Sequence, residues 1–132
     1  MGTPVLLVED DRDLRELLAY ALSADGYEVH TAENPVEALV QIEFGPTPAL
    51  ILLNLIMPVM PGAEFLEAIR RDPRLARIPV VLITGAAVPV EVGRAANAVL
   101  PKPFGLDELA ATISELLPRD EPPTPTPAPA SA

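Results

Sequence analysis

The sequence has no cysteine and no tryptophan, and only one histidine and one lysine. Without cysteine there are no disulfides and no thiolate metal sites, which suits a reducing compartment, and a cytoplasmic location is expected. Aromatic residues make up only 4% of the chain against a hydrophobic content of 49%, so the core must be built from Leu, Val, Ile and Ala. Basic residues are also scarce, 9 against 19 acidic ones, for a net charge of −10. That balance disfavours nonspecific nucleic-acid binding and suits a cation or a basic partner. No apolar run can span a bilayer, because the longest, from Ala49 to Met60, contains Asn54 and Pro58. The N-terminal MGTPVLLVED has no basic stretch ahead of its apolar residues, so no signal peptide is expected. The lone histidine, His30, cannot make a metal site or a catalytic triad by itself and is expected at the surface of a strand.

What is present is a repeated alternation of two periodicities. PVLLVE (Pro4 to Glu9), Tyr27 to Thr31, Ala49 to Leu53, Pro79 to Thr84 and the short Ala98 to Leu100 read as strands. Asp11 to Ala24 reads as a helix with Leu14, Leu17, Leu18, Ala21 and Leu22 on one face, closed by Gly26. Asn34 followed by Pro35 is an N-cap with proline at the first helical position, opening a helix to Phe44. Gly62 to Arg71 is helical with Phe65, Leu66 and Ile69 inward. A weak helical segment follows near Val90 to Ala96. The last helix, Leu106 to Leu117, turns Leu106, Leu109, Ala110, Ile113, Leu116 and Leu117 to one side. Strands that are apolar throughout, each followed by a helix, predict a doubly wound five-stranded parallel sheet with helices on both faces, the flavodoxin-like class, with a shortened fourth helix. From Pro118 the composition changes to six prolines and no large apolar residue, so residues 1–117 are expected to form one domain and residues 118–132 an extended, flexible tail. A proline-rich ligand for a partner is an alternative reading of that tail.

In such sheets, chemistry gathers at the C-terminal ends of the strands. The first strand ends in Glu9-Asp10-Asp11, the third at Asn54, the fourth at Thr84, and the fifth runs into Pro101-Lys102-Pro103. Asn54 is a single polar residue inside an apolar run, with Pro58 and Pro61 forcing a turn after it. Adjacent carboxylates repel, and a hard divalent cation relieves them; magnesium takes a few carboxylate oxygens plus water. A lysine and a threonine hydroxyl would suit the oxygens of a phosphoryl group. Each residue alone has a plainer reading: the acidic run as a helix cap, Thr84 as a strand-end threonine, Lys102 as a solvated cation, Asn54 as a turn former. Their joint placement at strand ends favours a site.

These segments resemble the receiver domain of two-component response regulators. VLLVEDD (Val5 to Asp11), LLNLIMPVMPG (Leu52 to Gly62), PVVLITG (Pro79 to Gly85) and PKPF (Pro101 to Phe104) match that family's signature segments in order, covering about residues 4–117. The resemblance implies that Glu9 and Asp10 hold magnesium together with the residue at position 54 and the backbone carbonyl of Ile56. It implies that Thr84 and Lys102 bind phosphoryl oxygens, that the Lys102–Pro103 bond is cis, and that the partners are a histidine kinase or a downstream signalling protein.

The chain departs from the family pattern in three places. The phosphoacceptor aspartate falls on Asn54, whose amide is a poor nucleophile toward phosphorus, so no phosphorylation and only weak magnesium binding are expected. The switch position, usually aromatic or histidine, is Val99, which is read as a core valine. The stretch between Thr84 and Lys102 is shorter than usual by roughly one helical turn, and Pro89 and Gly93 make it a poor helix. The last helix has no basic residue for charged dimer contacts, which leaves partner contacts to be sought elsewhere. The cluster Arg70, Arg71, Arg74 and Arg77 is one candidate, although a solvated helix end is the plainer reading. The expected function is a phosphorylation-independent interaction module in a phosphorelay, not an enzyme. One alternative is a phospho-accepting regulator in which Asp was deliberately changed to Asn at position 54. More remote are a magnesium-dependent phosphohydrolase, which would lack its nucleophile, and a small-ligand binder at the sheet edge.

Overall fold

The computed structural model describes residues 2–117, and the expected proline-rich tail, residues 118–132, lies outside the described residues. Strands and helices alternate strictly: β1 (Pro4–Val8), α1 (Arg12–Ala24), β2 (Glu28–Ala32), α2 (Pro35–Phe44), β3 (Leu50–Asn54), α3 (Gly62–Arg71), β4 (Val80–Thr84), α4 (Val90–Ala95), β5 (Ala98–Pro101) and α5 (Leu106–Leu116). The five strands form one sheet in the order β2-β1-β3-β4-β5, parallel throughout. Parallel neighbours need long crossovers, and each helix supplies one. This is the doubly wound α/β architecture that the alternating pattern predicts.

The period-2 geometry of a strand sends successive side chains to opposite faces. Leu6, Val8, Ile51, Leu53, Val80 and Leu82 pack against α2 and α3. Val5, Leu7, Leu50, Leu52, Val81 and Ile83 pack against α1 and α5. Both faces are covered, which is why β1, β3 and β4 read as apolar runs rather than alternating ones. The helix ends follow their sequence signals. Asp11 Oδ1 accepts the Leu14 N–H at 3.2 Å, and Asn34 Oδ1 accepts the Glu37 N–H at 2.8 Å. Gly26 closes α1 with φ +97°, a conformation that costs glycine little.

Several expectations need correction. β2 starts and ends one residue later than its pattern suggests, β3 extends through Asn54, and β5 runs on to Pro101. Leu17 and Leu106, read as inward, are 51% and 43% exposed. Val99 is not a core valine, being 38% exposed. It is paired with Leu82 and so lies on the α2–α3 side of the edge strand β5. There α4 has only six residues and buries none of them.

Arg70 is not part of a solvated helix end. Its Nε donates to the Ala95 carbonyl at 2.8 Å, Nη1 to the carbonyls of Ala76 (3.2 Å) and Ile78 (2.8 Å), and Nη2 to Asn97 Oδ1 at 2.9 Å. Asn97 Oδ1 also accepts the Val80 N–H at 2.9 Å. One guanidinium fork thus ties the end of α3 to the start of β4 and the end of α4, satisfying carbonyls that no ladder reaches. Burial pulls its pKa below the usual arginine value. Arg71 and Arg74 do lie at the surface, paired with Glu67 at 2.7 Å and Asp72 at 2.9 Å. His30 is half-exposed, with Nε2 2.8 Å from Glu28 Oε2.

Candidate functional site at the sheet edge

Strand parity decides which side chains meet at the C-terminal edge. Glu9, Asn54 and Lys102 continue the rows Val5–Leu7, Leu50–Leu52 and Ala98–Leu100, all on the α1–α5 side of the sheet. Thr84 continues Val80–Leu82 on the opposite side. The parallel register aligns the strand ends, so the first three converge.

Glu9 is fully buried and Asn54 nearly so, at 6% exposure. Asn54 Nδ2 donates to Glu9 Oε2 at 2.9 Å and to Asp10 Oδ1 at 3.4 Å. Its Oδ1 accepts the Ile56 N–H at 3.2 Å. The reversed amide would set an oxygen against two carboxylates and a nitrogen against an N–H donor, so the network admits one orientation. Glu9 Oε2 also accepts the Asp11 N–H at 3.0 Å. Lys102 Nζ stands 3.8 Å from Glu9 Oε1, too far for a hydrogen bond. Among the described residues, Oε1 is the buried side-chain atom left without a hydrogen-bond partner. Burial is the main cause that pushes the Glu9 carboxyl above its ordinary value, opposed by the Asp11 N–H, the Asn54 amide and the Lys102 charge.

The acidic run splits between two tasks. Asp11 caps α1, whereas Glu9 and Asp10 face Asn54. Thr84 is buried at the end of β4, and its Oγ1 accepts the Ala86 N–H at 3.0 Å rather than touching Asn54. Its backbone carbonyl accepts the Lys102 N–H at 2.8 Å, which holds the β5 end beside it. The Lys102–Pro103 bond is cis, as expected. Ile56 lies in the loop after Asn54 with its side chain 65% exposed. That loop is fastened by Gly62, whose N–H donates to the Leu55 carbonyl at 3.1 Å. A Cβ on Gly62 would sit 2.5 Å from that oxygen, so no other residue fits without a backbone shift. Among the described residues, no three His, Cys, Asp or Glu side chains are gathered as a metal cage.

One contributor escapes a sequence reading. Arg15 Nη1 donates to the Glu9 carbonyl at 2.9 Å and to the Asp10 carbonyl at 3.5 Å, bracing the acidic turn from α1. The only sequence trace of this is an arginine one helical turn past the cap.

The chain matches the family model described as response regulator receiver domain over residues 5–114. It is 36% identical to the transcriptional regulatory protein CpxR homolog of Haemophilus influenzae over 91% of this chain and 52% of that protein. It is 34% identical to the phosphate regulon transcriptional regulatory protein PhoB of Pseudomonas aeruginosa over 92% of this chain and 55% of that protein. The chain thus spans about half the length of these curated relatives. Among solved structures it resembles the chemotaxis protein CheY4 of Vibrio cholerae, with a TM-score of 0.82 and 31% identity over 89% of this chain and 100% of that one. It also resembles the response regulator TrrA of Thermotoga maritima, solved in complex with Mg2+-BeF, with a TM-score of 0.78 and 33% identity over 89% of this chain and 100% of that one. The match over residues 5–114, together with this sheet and strand-end site, makes the chain a member of the response regulator receiver domain family.

Proposed function

We propose that this receiver works without phosphorylation at position 54, as a cytoplasmic protein-interaction module of a phosphorelay whose partners are a histidine kinase or a downstream signalling protein. The observation that carries the reading is the amide of Asn54, bonded to both Glu9 and Asp10 where a nucleophilic carboxylate would be needed. Forming an acyl phosphate requires carboxylate attack on phosphorus, and an amide oxygen lacks the charge and leaves the wrong product. The same absence argues against a phosphohydrolase.

The donor set fits magnesium in part. Glu9, with its unpartnered Oε1, and Asp10 would hold the ion with the Ile56 carbonyl, and the ion would neutralise the carboxylates. One of three anionic groups is neutral at Asn54, so the affinity is weak. Thr84 and Lys102 are the residues suited to phosphoryl oxygens. Lys102 stands near Glu9, whereas the Thr84 hydroxyl is engaged with its own turn.

A second reading keeps a phospho-accepting regulator in which Asn has been put in place of Asp. The completeness of Glu9, Asp10, Thr84 and Lys102 favours it. Incubation with acetyl phosphate and magnesium, followed by intact mass, tests both readings. The chain is expected to stay unmodified while Asn54→Asp gains one phosphoryl group if the pocket is otherwise competent. A phosphoryl adduct on Asn54 itself would end the proposal, and the codon at position 54 of the native gene separates the two readings.

A further inference from the structure

A groove of about 730 Å³ lies between α3 and α4, lined in part by the half-buried Ala63, Val92 and Ala95 and by the exposed Glu64, Glu67 and Glu91. Because α4 is short and buries no residue, Val92 and Ala95 stay partly open beside Ala63 of α3, whereas Leu66 itself is buried. Glu64 and Glu91 are exposed and form no ion pair among the described residues. Glu67 is held by Arg71 at 2.7 Å. The lining cation, Arg70, has its fork committed to Ala76, Ile78, Ala95 and Asn97 and forms no ion pair with Glu64 or Glu91.

We propose that this groove docks a basic amphipathic segment of a partner protein, its apolar side chains over Ala63, Val92 and Ala95 and its lysine or arginine side chains against Glu64 and Glu91. Charge selects this occupant. A second copy of the chain, at net −10, would bring its own carboxylates to an acidic rim. The segment 118–132 carries Asp120 and Glu121 beside its single cation, Arg119, and offers no basic run. An anionic nucleic acid is repelled for the same reason. An apolar floor with charges at its margin is the pattern by which grooves take amphipathic helices. The groove is built by α3 and α4 and does not depend on residue 54, so this proposal goes beyond the reading given above and can fail separately from it.

The test uses the full chain and a fluorescein-labelled synthetic leucine–lysine amphipathic helix, with fluorescence anisotropy as the readout. Saturable binding is expected. The exposed double change Glu64→Lys with Glu91→Lys should weaken it about tenfold or more, a loss of about 1.4 kcal/mol. Val92→Asp should weaken it to a similar degree. The control Glu108→Lys with Glu115→Lys makes the same charge change on α5, across the sheet, and should shift the affinity far less. Circular dichroism and melting confirm that each variant is folded; the glutamate pair serves if Val92→Asp is not. Equal weakening by the α5 control would mean bulk charge attraction and would overturn the proposal. So would binding indifferent to the groove substitutions, or no binding at all.

Discussion

Replacing Asn54 with aspartate turns a bridging donor into a third anion. The amide nitrogen lies 2.9 Å from Glu9 Oε2 and 3.4 Å from Asp10 Oδ1. With an effective dielectric near 20, a like-charge pair at such range costs on the order of 4 kcal/mol. Each lost hydrogen bond to a charged acceptor adds about 1.5–3 kcal/mol. These terms do not simply accumulate, because one carboxyl can take up a proton. Glu9 is the natural acceptor, since burial already raises its pKa. A proton on Glu9 relieves its pair with residue 54 but leaves the pair with Asp10, so the net penalty stays on the order of 3–4 kcal/mol near neutrality. For a domain of this size that corresponds to a fall in Tm of about 10 °C. Asn54→Asp should therefore melt well below the parent chain in EDTA at neutral pH. The gap should narrow at acid pH, where the proton is cheap, and close when magnesium neutralises the cluster. Asn54→Ala removes the donor without adding charge and should lie between the two. Superimposable melting curves for parent and Asn54→Asp in EDTA, or a magnesium-independent gap, would refute the reasoning.

Arg70→Ala strips the donors from three carbonyls and Asn97 and should cost about 2–4 kcal/mol in urea melts; Arg70→Lys should recover only part, since an ammonium cannot reproduce the fork. Val59 is a β-branched residue at φ +78° and 72% exposed, so Val59→Asn, which tolerates that conformation, should stabilise the fold by about 0.5–1 kcal/mol, and a loss of stability would count against the strain. Because the folded state raises the Glu9 pKa, its contribution is most favourable below the ordinary glutamate range and is lost as pH rises through the raised value. The stability of the parent minus that of Glu9→Gln, measured by urea melts in EDTA, should fall with increasing pH; a rising difference would contradict a buried, desolvated carboxyl.

Much of the site was legible before any coordinates. Glu9, Asp10, Asn54, Thr84 and Lys102 lie at or just past the ends of strands, and in a parallel sheet strand ends share one edge whatever the details of packing. The helix caps at Asp11 and Asn34 and the turn at Gly26 are local features, fixed by side-chain oxygens or by a glycine within a few residues. Leu17, Leu106 and Val99 were misplaced because helical or strand periodicity says which residues share a face but not how far a neighbouring element covers it. Val99 is exposed because α4 is too short to roof it, a fact of tertiary structure.

The sequence by itself determined the order of strands and helices, the parallel sheet and the residue types at its chemical edge, because apolar periodicity and caps act over short range. Only the tertiary structure decided how those residues meet. Strand parity puts Glu9, Asn54 and Lys102 on one face and Thr84 on the other. The Asn54 amide takes one orientation because two carboxylates, distant in sequence, converge on its nitrogen. The Arg70 fork and the open α3–α4 groove depend likewise on backbone carbonyls and helix lengths that meet only once the chain is folded.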